Sequence, residues 1–133
     1  MRKVMLGLGL AFSVGCFDDV LTGSSTVNGA YTLRTINGSP LPYTTAGSGT
    51  NKTETLDDVL TLYQGSTYAE SGHVRKTVNG QVTTTNNTET GSYTLVGTSI
   101  TLRSSDGTLG RIAMINANTM TFITDGVTSV FMK

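Results

Sequence analysis

Asn79-Gly80 stands between two runs of strand-forming residues, 67–78 and 81–85. Asn-Gly accepts positive φ at both central positions of a type I′ turn, so it joins two adjacent antiparallel strands. Comparable punctuation recurs down the chain at Asn37-Gly38, Gln64-Gly65-Ser66, Val96-Gly97-Thr98, Ser104-Ser105-Asp106-Gly107, Asn116-Ala117-Asn118 and Asp125-Gly126. Parallel strands need crossovers of a dozen or more residues, and these connections are far too short for that. The chain must run up and down.

The segments between the turns suit strands. Threonine occurs 25 times, against two prolines and no tryptophan, and a β-branched residue at that frequency favours extended backbone. Strands are predicted at residues 30–36, 56–63, 67–78, 81–85, 91–95, 99–103, 108–115, 119–123 and 127–132. Residues 44–53 read as a polar, glycine-rich mobile loop. Asn86-Asn87-Thr88 reads as a break or bulge. The predicted fold class is all-β: an antiparallel up-and-down β-barrel of about eight to nine short strands, closed so that no edge is left exposed, and preceded by a signal peptide.

The N-terminus carries an address. Arg2 and Lys3 precede an uncharged, mostly apolar run of 11 residues from Val4 to Val14. That run is about half the roughly 20 apolar residues needed to span a bilayer, and its layout is that of an export signal. It ends at Cys16, the one cysteine of the chain, which has no partner for an intramolecular disulfide. Ser13-Val14-Gly15-Cys16 resembles the lipobox of bacterial lipoproteins, with Ser13 in place of the usual leucine. The resemblance implies that Cys16 is lipidated and becomes the mature N-terminus. Two or three acyl chains there, each buried methylene contributing about 0.8 kcal/mol, make a lasting anchor. The expected organisation is a lipoprotein signal peptide at 1–15, a lipidated N-terminus and flexible linker at 16–27, and a barrel domain at 28–133. The expected location is the cell envelope, anchored to a bacterial membrane and facing the periplasm or the exterior.

Charge narrows the partners. Nine basic and nine acidic residues balance; once Arg2 and Lys3 leave with the signal, seven stand against nine, a formal charge of −2. No basic stripe with interleaved aromatics is present, so no nucleic-acid partner is expected. A monomer is expected.

Alternation predicts which side chains point into the barrel. Tyr31 and Leu33 share a face, as do Tyr68 and Val74, Tyr93 and Leu95, Ile100 and Leu102, Ile112 and Met114, and Met120 and Phe122. An eight-stranded barrel is just wide enough to be filled by such side chains or to hold one small ligand. The candidate lining is Tyr31, Leu33, Tyr68, Tyr93, Leu95, Leu102, Met114 and Phe122. This set contains no cation, and its nearest carboxylate is Glu70. A ligand is therefore expected to be small, apolar and uncharged, because an unpaired buried charge costs several kcal/mol. The alternative is a filled barrel that acts as a structural or protein-interaction surface lipoprotein.

The segments Gly29-Ala30-Tyr31-Thr32-Leu33 and Ile36-Asn37-Gly38-Ser39-Pro40-Leu41-Pro42 resemble the opening of bacterial lipocalin-like domains. So do Leu60-Thr61-Leu62 with Gly65-Ser66-Thr67-Tyr68, and Gly91-Ser92-Tyr93-Thr94-Leu95 with Ile100-Thr101-Leu102. The resemblance covers residues 27–133 and implies a calycin-type barrel with a ligand site inside. Gly29 and Tyr31 occupy the places of the usual Gly-x-Trp, but this chain has no tryptophan and is shorter than a typical lipocalin. META-type lipoprotein domains begin similarly, yet tend to carry a glycine-cysteine-asparagine segment that is missing from this mature domain.

Catalytic chemistry has little to work with. His73, the single histidine, shares a face with Ala69, Ser71 and Arg75 and is expected on the surface. Asp57-Asp58 reads as a bulge or strand-entry feature, since neighbouring strand residues point to opposite faces. Glu70 falls on the face of Tyr68 and is expected beyond the barrel end. Asp106-Gly107 and Asp125-Gly126 are turns. No phosphate loop, zinc spacing or nucleophile elbow occurs. No enzyme, metal or cofactor is expected.

Overall fold

A computed structural model describes residues 26–108 and 110–133. The expected signal at 1–15, Cys16 and nearly all of the expected linker lie outside the described residues. Ten strands follow one another: β1 Gly29–Ile36, β2 Ser39–Pro40, β3 Tyr43–Ser48, β4 Asn51–Leu62, β5 Thr67–Val78, β6 Gln81–Val96, β7 Ser99–Ser104, β8 Gly110–Asn116, β9 Thr119–Thr124 and β10 Val127–Met132.

All pairings are antiparallel. The order β1-β10-β9-β8-β7-β6-β5-β4 returns to β1 through a β1–β4 ladder, which closes an eight-stranded barrel. β2 and β3 lie outside it, on β1 and β4 respectively. The turns explain the closure. Asn37-Gly38, Asn79-Gly80 and Asp125-Gly126 hold positive φ at both positions, 51° and 77°, 50° and 78°, and 49° and 78°. This is the type I′ geometry whose twist matches that of the flanking strands.

Gly80 has open space where a Cβ would stand, so its need for glycine is purely conformational. Gly80→Val is expected to cost roughly 1–2 kcal/mol in denaturant melts, the usual price of a β-branched residue at positive φ. A melt identical to wild type would show that the turn tolerates another geometry.

Two segments differ from expectation. Residues 44–53 are no loop: they form β3 and the start of β4, paired from Tyr43↔Thr55 to Ser48↔Asn51. The hairpin tip is tied to its neighbour, because Asn79 N–H donates to Asn51 Oδ1 at 2.9 Å and Gly80 N–H to Thr50 O at 3.1 Å. Asn86-Asn87-Thr88 does not interrupt β6. The strand runs unbroken for 16 residues because β5 supplies a partner from residue 81 to 92, including His73↔Asn86, Gly72↔Asn87 and Ser71↔Thr88, and β7 takes over from residue 91 to 96. A register shift lies instead in β4, between Thr55 and Asp57.

The core fills one end of the barrel. Tyr31, Leu60, Ile100 and Met120 are fully buried, and Leu62, Tyr68, Leu102, Ala113, Phe122 and Phe131 nearly so. Each such large side chain contributes about 1.5–3 kcal/mol. Phe122 and Phe131 meet edge to face at 5.6 Å. The end where β1 begins is plugged. Tyr31 OH donates to Val27 O at 2.7 Å, Tyr93 OH contacts Asn28 Oδ1 at 2.8 Å, and Lys133 Nζ donates to Thr26 O at 2.8 Å. At the opposite end β4, β5 and β6 outrun the other strands. There, among the described residues, β6 has no neighbour on its second side before residue 90, and residues 81–88 are all exposed.

Candidate functional site

The long strands carry a charged cluster into the open end of the barrel. Asp58 comes from β4, Tyr68 and Glu70 from β5, Glu89 from β6 and Arg111 from β8. Glu70 and Glu89 are direct cross-strand partners, so two like charges face each other in register. Alone, that pairing is destabilising. Arg111 resolves it by reaching in from β8. It forms a two-pronged pair with Glu70, one prong Nη1 to Oε1 at 3.1 Å, and places Nη2 3.4 Å from Glu89 Oε1. Its guanidinium also lies 5.2 Å from the centre of the Phe122 ring, which anchors the charge to the core. The Tyr68 hydroxyl donates to Glu89. Burial, and then that carboxylate, hold the tyrosine pKa above its ordinary value.

Asp58 completes the group. Its Oδ1 is shut off from solvent and has no hydrogen-bond donor. Burial, followed by the charge of Glu70 and a hydrogen bond to it, pushes the Asp58 carboxyl up to about 7. Gly72 stands opposite Asp58 in the ladder, and a Cβ there would come within 3.0 Å of Oδ1. The missing side chain leaves the carboxyl its room. A cavity of about 300 Å³ opens beside these groups, lined by Asp58, Glu70, Val74, Asn87, Glu89 and Arg111 among others.

The expected lining residues fall into three groups. Tyr31, Leu33, Tyr68, Tyr93, Leu102 and Phe122 are buried core. Leu95, on the Tyr93 face, is 40% exposed because it lies near the end of β6, past the packed part of the barrel. Met114 is a correction. It is 53% exposed, and Ile112 is 61% exposed. The connection after β8 has two residues, so Ile115 pairs with Met120 and Ala113 with Phe122. Inward-facing Met120 and Phe122 then require Arg111, Ala113 and Ile115 to point inward, and put Ile112 and Met114 outside. The expectation of an interior without a cation is corrected by the same register.

Glu70 does not lie beyond the barrel end; its side chain is 10% exposed and held by Arg111. Asp57 and Asp58 do face opposite ways. Asp57 is exposed and its Oδ1 is 2.8 Å from His73 Nδ1, which places His73 on the surface as expected. Asp58 and Arg111 were missed as site residues. The signal for Arg111 was available in the two-residue Ala117-Asn118 turn, which fixes the register of β8 once β9 is placed.

Outside the cavity, Glu54 is buried on the extension formed by β4 and β5. Hydrogen bonds from Arg75 Nε and Lys52 Nζ, both at 2.9 Å, hold its carboxyl below the usual range. In the turn after β7, Ser104 and Thr108 bind Asp106 and lower its carboxyl to about 2.

No protein-family model matches the chain, and no curated protein is significantly similar to it. Fold and site together define a class: a closed eight-stranded antiparallel barrel, packed at one end and polar and open at the other.

Proposed function

We propose that this chain is a cell-envelope lipoprotein, anchored through Cys16, whose lipocalin-like barrel is a non-enzymatic binding module that takes a small molecule at its open end. The observation that carries the reading is the cavity of about 300 Å³ beside Asp58, Glu70 and Arg111, a volume at the lower bound for ligand sites. The apolar centre is filled by Tyr31, Leu60, Ile100 and Met120, so an apolar ligand has its room at the mouth, against Val74, and not among the core residues. Thr26 lies at the plugged end. A tether from Cys16 would join the barrel at this closed end, opposite the mouth.

Two measurements test this. Cys16→Ala is expected to move the protein from the membrane fraction to the soluble one; retention of the variant, with no acyl mass on the wild-type N-terminal peptide, defeats the anchor. Protein purified from its own membranes is expected to retain a small molecule in native mass spectrometry. Its removal is expected to speed hydrogen exchange around residues 57–58, 70–74 and 87–89.

A second reading, a filled-barrel lipoprotein that acts through protein contacts, is favoured by the unpaired edge of β6 over residues 81–89. It predicts no retained molecule and a partner whose binding protects that edge from exchange.

A further inference from the structure

The charges at the mouth do not balance. Asp58, Glu70 and Glu89 face one guanidinium, and Arg111 is already engaged by both glutamates. An anion entering the cavity meets carboxylates with no free cation to receive it. A neutral solute leaves the excess charge where it is. A cation relieves it, and an ammonium group brings three donors to carboxylates that have only one guanidinium between them. Among the described residues no group of three or more His, Cys, Asp and Glu side chains is arranged to hold a metal ion, and the cavity suits a cation with an organic body. Val74 and Gly72 offer its body an uncharged wall.

We infer that the open end of the barrel binds a small organic ammonium ion, and that its capture displaces the proton carried by Asp58. The inference rests on the mouth being the ligand site and names the class of ligand it takes. The free site holds Asp58 as the acid, donating to Glu70, which in turn accepts from Arg111. Groups of both signs line the cavity with Asp58: Glu70 on β5, Glu89 on β6, to which the Tyr68 hydroxyl donates, and Arg111 on β8. The ammonium enters fully protonated, Asp58 is left as the carboxylate beside it, and the proton passes to the buffer. No covalent bond to carbon is made or broken.

Linkage gives the sign. Binding that expels a proton strengthens as pH rises through the value of the acid that loses it. Asp58 stands at about 7, so affinity is expected to rise about tenfold from pH 6 to pH 8 and then level off.

Calorimetry on the full chain in detergent, with benzylamine, benzoate and benzyl alcohol as probes of one shape and three charges, tests this. Benzylamine is expected to bind at least tenfold more tightly than the other two at pH 8. Paired buffers of different ionisation enthalpy are expected to show close to one proton released at pH 6 and almost none at pH 8.5. Asp58→Asn keeps the shape and the donor to Glu70 but has no proton to lose. It is expected to weaken benzylamine binding at pH 8 and abolish the pH dependence. Tighter binding of benzoate or benzyl alcohol, or no binding of any probe, overturns the ammonium class. Benzylamine binding without proton release, or with unchanged affinity in Asp58→Asn, overturns the role of Asp58. None of these results touches the reading of the mouth as a ligand site, which stands or falls on the molecule retained by the native protein.

Discussion

Arg111→Leu is expected to lower the stability of the barrel by about 3 kcal/mol at pH 8, and by much less at pH 4.5. Removing one member of a buried ion pair costs about 3–5 kcal/mol because the partner stays behind uncompensated. The lower figure applies here, since the Arg111 side chain is 25% exposed and water reaches it. The loss exceeds that of a cavity alone. Glu70 and Glu89 remain face to face in register, with Asp58 beside them and nothing between. Acid removes the repulsion by protonating carboxyl groups, so the variant regains most of the difference.

The wild type has its own slope, and its sign follows from Asp58. The folded barrel keeps that proton up to about pH 7, while the unfolded chain releases it near 3.8. Between those values the folded state binds more protons, so stability falls as pH rises from about 4 to about 7. Arg111→Leu steepens the fall. Urea melts of both proteins at pH 4.5 and pH 8 separate the causes. An equal penalty at both values would mean that Arg111 acts through its packing on Phe122 and not through its charge.

The barrel was readable because its information is local. Asn37-Gly38, Asn79-Gly80 and Asp125-Gly126 each set a turn within two residues, and the short connections left no topology other than a meander. The core followed from alternation wherever a strand had one clearly apolar face, as with Tyr31 and Leu33 or Ile100 and Leu102. The mouth was hidden because its information is distant. Arg111 and Glu70 are 41 residues apart; alternation put Glu70 on the Tyr68 face but beyond the barrel end, and Arg111 alone looks like a solvent-facing charge. In β8 the apolar pair Ile112 and Met114 outweighs Ala113 and Ile115, so hydrophobicity pointed to the wrong face. Only the turn before β9 carried the register. The same logic hid β3. Its Thr-rich sequence has no buried face of its own, and it exists because β4 offers it a ladder.

Gly91→Ala is expected to cost about 3 kcal/mol and to lower the melting temperature by more than about 10 °C. The position has no unusual φ, so strain of the glycine backbone is not the cause. The cause is space. A Cβ at Gly91 would lie 2.0 Å from Arg103 O and 2.7 Å from Tyr68 Cε1. The first neighbour is backbone of β7, held by the Gly91↔Ser104 and Ser92↔Arg103 pairs. The second is the ring of a residue that is 2% exposed and stands opposite Gly91 on β5. Neither can yield without moving a strand or the core. Gly110→Ala is the matched control. It too replaces a strand glycine by alanine, but the nearest atom to its Cβ would be Leu102 O at 3.9 Å, and it is expected to be neutral or slightly stabilising. The clash also couples the core to the mouth. Tyr68 is the side chain that donates to Glu89, so displacing its ring takes a donor away from the charged cluster. Gly91→Ala is therefore expected to weaken any ligand held at the mouth as well as the fold, while Gly110→Ala leaves both intact. Equal melting temperatures for the two variants would show that β6 and β7 can part at Gly91, and that Tyr68 is not clamped against it.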